Sequence, residues 1–467
     1  MIDQQTQGCL QVARKARSIF LCQSCGYRSG KWLGRCPDCG EWNSFVEEIE
    51  TTSLHDAGDV PSANRAVCLG EVEDSQHTER LHTGFGELDR VLGGGLYPGS
   101  VILLAGEPGI GKSTLMLQVA AWLEAHGVPV LYVSGEESLG QLKSRASRLR
   151  PEAAKVVALA ETRLPDVLAH LQALSPRVAI VDSIQSLYHP DLNGAPGNVA
   201  QLRECAGQLF RLAKEKAITL ILIGHVTKEG LAAGPRLLEH LVDATLYFEG
   251  NVQQHRIIRA HKNRFGPSGE LAVFEMGDGG LRQIADLSSL FLSPPAQFSP
   301  GTAVVCAYEG TRPLVVEVQA LVNRTAYGPP QRTASGFDQR RLALILAILQ
   351  RFAGLDFGLR DVFLKIAGGL TLRDPALDLG VAMAIFSSLS AQPLSHDEVF
   401  LGELGLGGEI RAVPFLEARL KDIEKRGFRQ VYLPAGNFAA LSQRKWGSLL
   451  LSPVEKVSQL IVSTEST

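Results

Sequence analysis

Residues 106–114 read Gly106-Glu107-Pro108-Gly109-Ile110-Gly111-Lys112-Ser113-Thr114, the spacing of a glycine-rich loop that closes around phosphate oxygens. An apolar run, Val101–Ala105, precedes this loop, and a helix-compatible stretch, Thr114–Ala125, follows it. In a strand–loop–helix arrangement, backbone N–H groups and the positive end of the helix dipole face the phosphates. We therefore predict that residues 106–114 bind ATP or GTP, with Lys112 at the β- and γ-phosphates and Ser113 on Mg²⁺. The alternative is a glycine-rich turn that matches by chance.

Composition and charge restrict the class of protein. The chain has 467 residues, of which 45% are apolar and 20% are charged, as in globular proteins of several domains. Its net charge of −3 excludes a uniformly basic surface. Residues 11–35 nevertheless carry six Lys or Arg and no acid, whereas residues 41–74 carry nine acids and one Arg. This pattern is compatible with a basic patch beside an acidic linker and also with a solvated charge run.

The sequence lacks the patterns of secretion and membrane insertion. Met1–Leu10 is polar, unlike a signal peptide, and the longest apolar stretch, Ala376–Leu394, is interrupted by Asp378. We expect a cytoplasmic protein with no membrane partner, in which the scattered cysteines stay reduced.

Four cysteines form two C-x-x-C pairs separated by ten residues: Cys22, Cys25, Cys36 and Cys39. This spacing predicts a four-thiolate Zn²⁺ site, with a disulfide pair as the alternative. A module of this size cannot build a sufficient core, so the metal is expected to supply its folding energy. We expect Trp32, Trp42 and Phe45 to form an apolar shell around the pairs.

The remaining pattern predicts an α/β fold in two further domains. Apolar runs alternate with helical patterns between residues 81 and 283, which favours a mostly parallel sheet covered by helices. The predicted strands are Val130–Ser134, Val178–Val181, Ile218–Ile223, Ala244–Phe248 and Arg256–Ala260. A second α/β unit follows a proline-containing stretch. We place the domain borders at residues 1–50 for the zinc module, 51–80 for a linker, 81–284 for the nucleotide-binding domain and 285–467 for the last domain.

Polar residues at strand ends are candidates for hydrolysis. Asp182 ends an apolar strand, where a ligand on the Mg²⁺ side lies in such folds. Glu136 and Glu137 follow another strand, and either one could orient the attacking water or act as a first-turn acid of the next helix. His225 ends a third strand, as a γ-phosphate sensor or as a core histidine.

Two cationic segments are candidates for DNA contact or coupling. The first is the cluster Lys262, Asn263, Arg264, Phe265 and Gly266, for which a solvated turn or a neighbouring subunit's nucleotide are the alternatives. The second is residues 322–341, predicted to form a loop because of Gly328, Pro329 and Pro330. It carries Arg324, Arg332, Arg340 and Arg341. The alternative to DNA contact is a loop that contacts another subunit.

Together, Cys22–Cys39, Gly106–Thr114 and Lys262–Gly266, in this order, closely resemble the bacterial RadA (Sms) DNA-repair family. The resemblance implies a zinc finger, a RecA-like P-loop ATPase and a C-terminal domain similar to the Lon protease. It also implies an ATP-driven motor that extends heteroduplex on single-stranded DNA at branched recombination intermediates, together with RecA. A hexameric ring near the nucleoid, with ATP sites at subunit interfaces, belongs to the same expectation. Glu136 and His225 fall at the RecA-like catalytic glutamate and coupling glutamine, and the segment through Gly234-Pro-Arg236 falls at a DNA-contacting loop.

Two other functions are compatible with the same domains: an ATP-dependent protease, and a zinc-bearing adaptor that uses nucleotide as a switch. Lon-type proteases need a Ser–Lys pair. The family alignment puts Asp378 at the serine and Arg419 at the lysine, so we expect a scaffold in which these two residues form an ion pair. Ser387 and Ser388 are expected to face elsewhere on the helix.

The zinc module yields the first testable prediction. Chelation of the metal, or Cys36→Ser, should unfold only about the first fifty residues, because binding energies of about 10–16 kcal/mol make such modules fold with their metal. Hydrogen exchange resolved by segment, together with metal analysis, measures this effect. Native protein that is folded but contains no zinc would contradict the prediction.

Overall fold

The computed structural model describes residues 17–22, 27–38, 40–50, 79–149, 155–225, 237–250, 255–294, 298–326, 328–441 and 446–464. The chain divides into two compact units, residues 1–84 with 94–246 and residues 85–93 with 247–467. The domain borders expected from the sequence stay predictions, and residues 51–78 of the predicted linker lie outside the described part. Among the described helices, none is long and apolar enough to span a bilayer.

The N-terminal module is a small antiparallel sheet. Its strands are β1 (Arg17–Cys22), β2 (Arg28–Ser29) and β3 (Phe45–Glu50), in the order β2-β1-β3. Cys22, Cys36 and Phe45 are buried together, which confirms the predicted place of Phe45, and the Cys22 thiol lies 3.1 Å from the Ser44 hydroxyl. The predicted shell is wrong for Trp32 and Trp42, which are exposed. Cys25 and Cys39 lie outside the described residues.

The rest of the first unit contains a parallel sheet whose strands lie in the order β4-β8-β7-β5-β6. These strands are β4 (Val101–Gly106), β5 (Val130–Ser134), β6 (Val157–Ala160), β7 (Val178–Asp182) and β8 (Thr219–His225). Every residue of β4, β5 and β7 is buried, as expected where both faces of a sheet are covered. The predicted strands did not include β6, a short strand whose four apolar residues are exposed or half-buried.

Four helices of the first unit connect these strands: α2 (Lys112–Ala125), α3 (Leu139–Leu149), α4 (Leu164–Leu174) and α5 (Val199–Lys216), after α1 (Gly86–Val91) of the second unit. In α5, Asn198 caps the N-terminus by accepting a hydrogen bond from the Gln201 N–H, and Leu202 and Leu209 belong to the buried face. The buried residues of α5 recur at helical spacing and form one face. The first unit ends within strand β9 (Ala244–Gly250), whose later residues belong to the second unit.

The second unit begins with three antiparallel strands, β10 (His255–Asn263), β11 (Leu271–Gly277) and β12 (Gly280–Ile284). A mixed sheet follows in the order β15-β16-β14-β13-β17-β20-β21. Its strands are β13 (Thr302–Glu309), β14 (Arg312–Arg324), β15 (Arg332–Ser335), β16 (Arg360–Ile366), β17 (Glu398–Phe400), β20 (Gln430–Pro434) and β21 (Leu450–Val454). The pair β18 (Glu403–Leu404) and β19 (Ile410–Arg411) is separate.

Six helices accompany these strands: α6 (Ser288–Phe291), α7 (Gln339–Phe352), α8 (Asp378–Ser390), α9 (Leu416–Lys425), α10 (Ala435–Leu441) and α11 (Val457–Thr464). Helix α8 is apolar and buried over its first ten residues, so it forms part of the core. Ser387 and Ser388, expected to face elsewhere on the helix, contact the backbone of residues far from Asp378 in sequence. They accept hydrogen bonds from the Gly301 and Val322 N–H groups, at 2.9 Å each.

Two ion pairs lie at the N-terminal end of α8, and they differ from the predicted one; both carboxylates are buried, Arg419 is buried and Arg341 is half-buried. Asp378 bonds to Arg341, with Nε and Oδ1 2.7 Å apart, whereas Arg419 bonds to Asp374, with Nη1 and Oδ2 2.6 Å apart. The expected Asp378–Arg419 pair is therefore wrong, because each residue has another partner. Arg419 is 1% exposed and also donates to the Cys306 carbonyl. Burial raises the pKa of Asp378, and the Arg341 charge opposes this shift.

Replacing Arg341 by Met should destabilise this end of α8, because Asp378 would then be buried without its cation. The expected loss is on the order of 3 kcal/mol. Hydrogen exchange of residues 378–390 measures it, with the amides of β4 as an internal reference. The matched control is Arg340→Met, since Arg340 is the adjacent residue and is exposed. Equal exchange in the two variants would contradict a stabilising role of the pair.

Candidate active site

The glycine-rich loop connects β4 to α2 and opens at the helix N-terminus. Gly111 precedes the helix with φ at 116° and Gly109 has φ at 76°, both in the left-handed region that favours glycine. No side chain caps α2, and its first turn carries no acid. The first N–H groups of α2 and the dipole of the helix therefore suit an anionic ligand.

Lys112 is the buried cation of this loop. Its Nζ donates to the carbonyls of Gly106 and Glu107, at 2.9 and 2.8 Å, and lies 3.1 Å from His225 Nδ1. Burial lowers the pKa of Lys112 to about 8, although the negative charges of Asp182 and Glu136 oppose this shift. The loop and the end of β8 are thus joined through one ammonium group.

Asp182 lies at the end of β7, where the sequence predicted it. It is buried, and its Oδ2 accepts a 2.6 Å hydrogen bond from the hydroxyl of Tyr132 on the adjacent strand β5. Burial, and after it the charge of Asp182, raises the pKa of Tyr132 well above its usual range, so the phenol stays a donor. The carboxylate is therefore held in one orientation at the edge of the sheet.

Glu136 and Glu137 have different surroundings. Glu136 Oε1 accepts from the Ser183 hydroxyl at 2.5 Å and lies 3.0 Å from His225 Nε2. The bond to His225 is the main cause that lowers the pKa of Glu136 to about 2, although burial opposes it. Glu137 forms an ion pair with Arg145 of α3 instead. Of the two acids, Glu136 belongs to the group around Lys112, and His225 contacts both of these residues.

The residues present fit a nucleotide with Mg²⁺. The open helix N-terminus and buried Lys112 match phosphate oxygens, and the half-buried Ser113 hydroxyl with the Asp182 carboxylate is an oxygen donor set of the kind Mg²⁺ takes. In the zinc module, the buried sulfurs of Cys22 and Cys36 likewise fit a thiophilic metal.

The cluster 262–266 is divided between anchoring and exposed side chains. Its first two residues end strand β10, rather than following the strand as the sequence suggested. Asn263 Nδ2 donates to the Val91 carbonyl at 3.2 Å, and its Oδ1 accepts from the Phe265 N–H at 2.9 Å. A Cβ on Gly266 would lie 2.7 Å from the Gly93 Cα, so this position requires glycine. Arg264 is exposed and Lys262 is half-buried.

The predicted arginine loop is shorter than expected. Arg324 ends β14 and Arg332 begins β15, so residues 325–331 connect two strands. Arg340 and Arg341 lie in the first turn of α7. Arg341 is held by Asp378, which corrects the expectation of four free cations, whereas Arg324, Arg332 and Arg340 are exposed. The segment after His225, through Gly234–Arg236, lies outside the described residues.

Sequence reasoning missed two residues of the site. Tyr132 lies inside an apolar strand, where its hydroxyl cannot be distinguished from a core aromatic. Ser183 directly follows Asp182, and that position next to a strand-end aspartate was the one available signal. Both donate to the carboxylates described above.

Three family models match the chain in the expected order. Residues 20–47 match a rubredoxin metal binding domain, residues 67–231 match an AAA domain, and residues 330–437 match subunit ChlI of Mg-chelatase. The chain therefore has an α/β P-loop ATPase domain between a metal-binding ribbon and a Lon-like domain.

Curated relatives cover nearly the whole chain. "DNA repair protein RadA" of Bacillus subtilis (strain 168) is 44% identical and covers 92% of this chain and 95% of its own length. Proteins of the same name from Listeria monocytogenes and Brucella abortus are 45% and 46% identical. Each covers 91% of this chain and 93% of the relative.

The different surroundings of the two adjacent glutamates lead to a matched test. Glu136→Gln should lower ATP turnover at least about a hundredfold, the scale for losing a positioned acid–base group, while nucleotide affinity stays near the native value. Glu137→Gln should change turnover little, because Glu137 pairs with Arg145. Turnover assays and fluorescent-nucleotide binding measure both effects. The assignment fails if Glu137→Gln is the more damaging variant.

Proposed function

The chain belongs to the RadA family of bacterial DNA repair proteins, and we propose that it is a DNA-dependent ATPase that moves on single-stranded DNA during recombinational repair. The observation that carries this proposal is His225, which contacts both Lys112 and Glu136. It links the phosphate loop and the candidate catalytic acid to the end of β8. The segment that follows β8 resembles a DNA-contacting loop of RecA-like proteins.

Hydrolysis is assigned to residues around the loop. Lys112 and the open helix N-terminus stabilise charge on the transferring phosphoryl oxygens. Glu136, whose pKa of about 2 keeps it ionised, orients the attacking water by accepting its hydrogen bond. Ser113 and Asp182 hold Mg²⁺, which neutralises phosphate charge when bound. Ser183 and Tyr132 fix the two carboxylates.

Coupling to DNA follows from competition for Lys112. The ammonium has three N–H donors, and in the structure it uses them on Gly106, Glu107 and His225. ATP phosphates compete for these donors, so the position of His225 depends on the nucleotide. Because His225 is the last residue of β8, a change at its side chain passes to the backbone that follows.

DNA contacts are assigned to cations of two segments, residues 262–266 and residues 322–341. Lys262 and Arg264 act in coupling, whereas Asn263 and Gly266 anchor the segment and Phe265 is held by its backbone N–H. Arg324, Arg332 and Arg340 contact the phosphate backbone, and Arg341 has a structural role instead. Branch migration and heteroduplex extension with RecA on branched intermediates are part of this proposal.

The Lon-like domain is proposed to be a scaffold that holds subunits in a hexameric ring. A Ser–Lys protease needs a serine nucleophile and a lysine that can lose its proton. Asp378 and Arg419 stand at these positions, and each is held by another charge. Arginine does not deprotonate in proteins, because its pKa exceeds about 12. The observations therefore favour the motor over the protease.

ATP turnover with and without single-stranded DNA tests the proposal. The native chain should show turnover stimulated by DNA, and Lys112→Ala should show none. Lys262→Ala and Arg264→Ala should keep DNA-independent turnover but lose stimulation. If Lys262 or Arg264 only neutralised one DNA phosphate, its alanine variant would lower the salt slope of DNA binding by about one and keep the stimulation of turnover. Slow turnover that DNA does not change would identify a nucleotide switch and reject the motor.

A further inference from the structure

The zinc module exposes two tryptophans that its own core does not use. Trp32 is 50% exposed and Trp42 is 68% exposed, whereas the buried cluster consists of Cys22, Cys36 and Phe45. Two large aromatic side chains in water are a cost for a module this small, since each could stabilise it by burial. Their position therefore calls for a role outside the core.

The two indoles are neighbours on one surface. Both six-membered rings flank Gly34: a Cβ built there would lie 3.7 Å from Trp32 atoms and 4.0 Å from a Trp42 atom. Arg35 and Trp42 are paired in an antiparallel bridge, and the backbone turn between them is closed by Asn43 N–H donating to the Gly34 carbonyl at 2.9 Å. This backbone pairing fixes the segment that carries Trp42 beside Gly34, where the Trp32 ring also lies.

Cations accompany the indoles. The guanidinium carbon of Arg35 lies 5.8 Å from the centre of the Trp42 ring, and Arg35 Nε donates to the Gly40 carbonyl at 2.9 Å, which fixes its position. Lys31, next to Trp32, is exposed. Asp38, Glu41 and Glu47 are also exposed on the module, and Trp42 lies at the start of the acidic segment. A polyanion is therefore favoured only by Lys31 and Arg35, the two cations next to the rings.

We propose that Trp32 and Trp42, with Lys31 and Arg35, form a platform on which bases of single-stranded DNA stack. Every base offers a π-face to an exposed indole, while neighbouring cations follow the phosphates, so such surfaces bind single strands with little sequence preference. The platform rests on the proposed function in so far as the chain acts on single-stranded DNA. It adds a contact that lies outside the ATPase domain and does not depend on nucleotide.

Fluorescence anisotropy of the full chain with a short labelled oligothymidylate tests the platform, without nucleotide and at two salt concentrations. Trp32→Ala and Trp42→Ala should each weaken binding by about tenfold, the scale of one base–aromatic stack. The phenylalanine variants should keep most of the affinity, because the ring is retained. The slope of affinity against salt should not change, since the cations remain. The matched control is Val46→Ala, as Val46 is 50% exposed on the same module.

An abasic oligomer of equal length separates stacking from charge. It should bind the native chain and both alanine variants equally, because it has phosphates but no bases. Zinc content of each variant, measured by metal analysis, confirms that the module is folded, and the phenylalanine variants decide the matter if an alanine variant loses metal. Oligothymidylate affinity equal to that of Val46→Ala would overturn the platform and leave a protein as the occupant of this surface. A native chain that binds no oligomer would overturn the proposed function as well.

Discussion

The buried ammonium of Lys112 is the constraint around which the first unit's chemistry is arranged. A cation out of water needs acceptors or negative charge, and two loop carbonyls, His225, Asp182 and Glu136 provide them. Burial still lowers its pKa to about 8. The carboxylates are in turn oriented by hydroxyl donors from Ser183 and Tyr132. Four adjacent strand ends, those of β4, β8, β7 and β5, are thereby joined into one polar network. The proposed coupling of nucleotide binding to the end of β8 rests on this network.

Buried charge has a different consequence in the second unit. Asp378 and Arg419, which the resemblance to Lon-type proteases would place at the serine and lysine positions, each belong to a separate ion pair. Removing one partner of a buried pair costs more than the pair contributes, so such pairs are strongly retained once formed. One pair connects α7 to α8, and the other connects α9 to Asp374 in the segment before α8.

The zinc module combines a small buried core with exposed aromatic side chains. Its apolar core is small, which is usual where a metal stabilises the fold. Aromatic side chains that would otherwise complete the core remain on the surface beside cations. A metal-stabilised module can therefore present a large contact area without losing its fold.

Local patterns determined the elements, and tertiary structure decided the partners. The loop 106–114, the strands ending at Asp182 and His225 and the buried face of α5 follow from spacing, because apolar periodicity and glycine positions act within a few residues. The choice between Glu136 and Glu137 did not follow from spacing, because it depends on the contact of Glu136 with Ser183 and of Glu137 with Arg145. Asp378 pairs with Arg341 and Arg419 pairs with Asp374, instead of the expected pair of Asp378 with Arg419. These partners lie up to 45 positions apart in the sequence, so local patterns could not identify them. The exposure of Trp32 and Trp42 likewise required the folded module, because the sequence alone shows an aromatic residue but not whether the core has room for it.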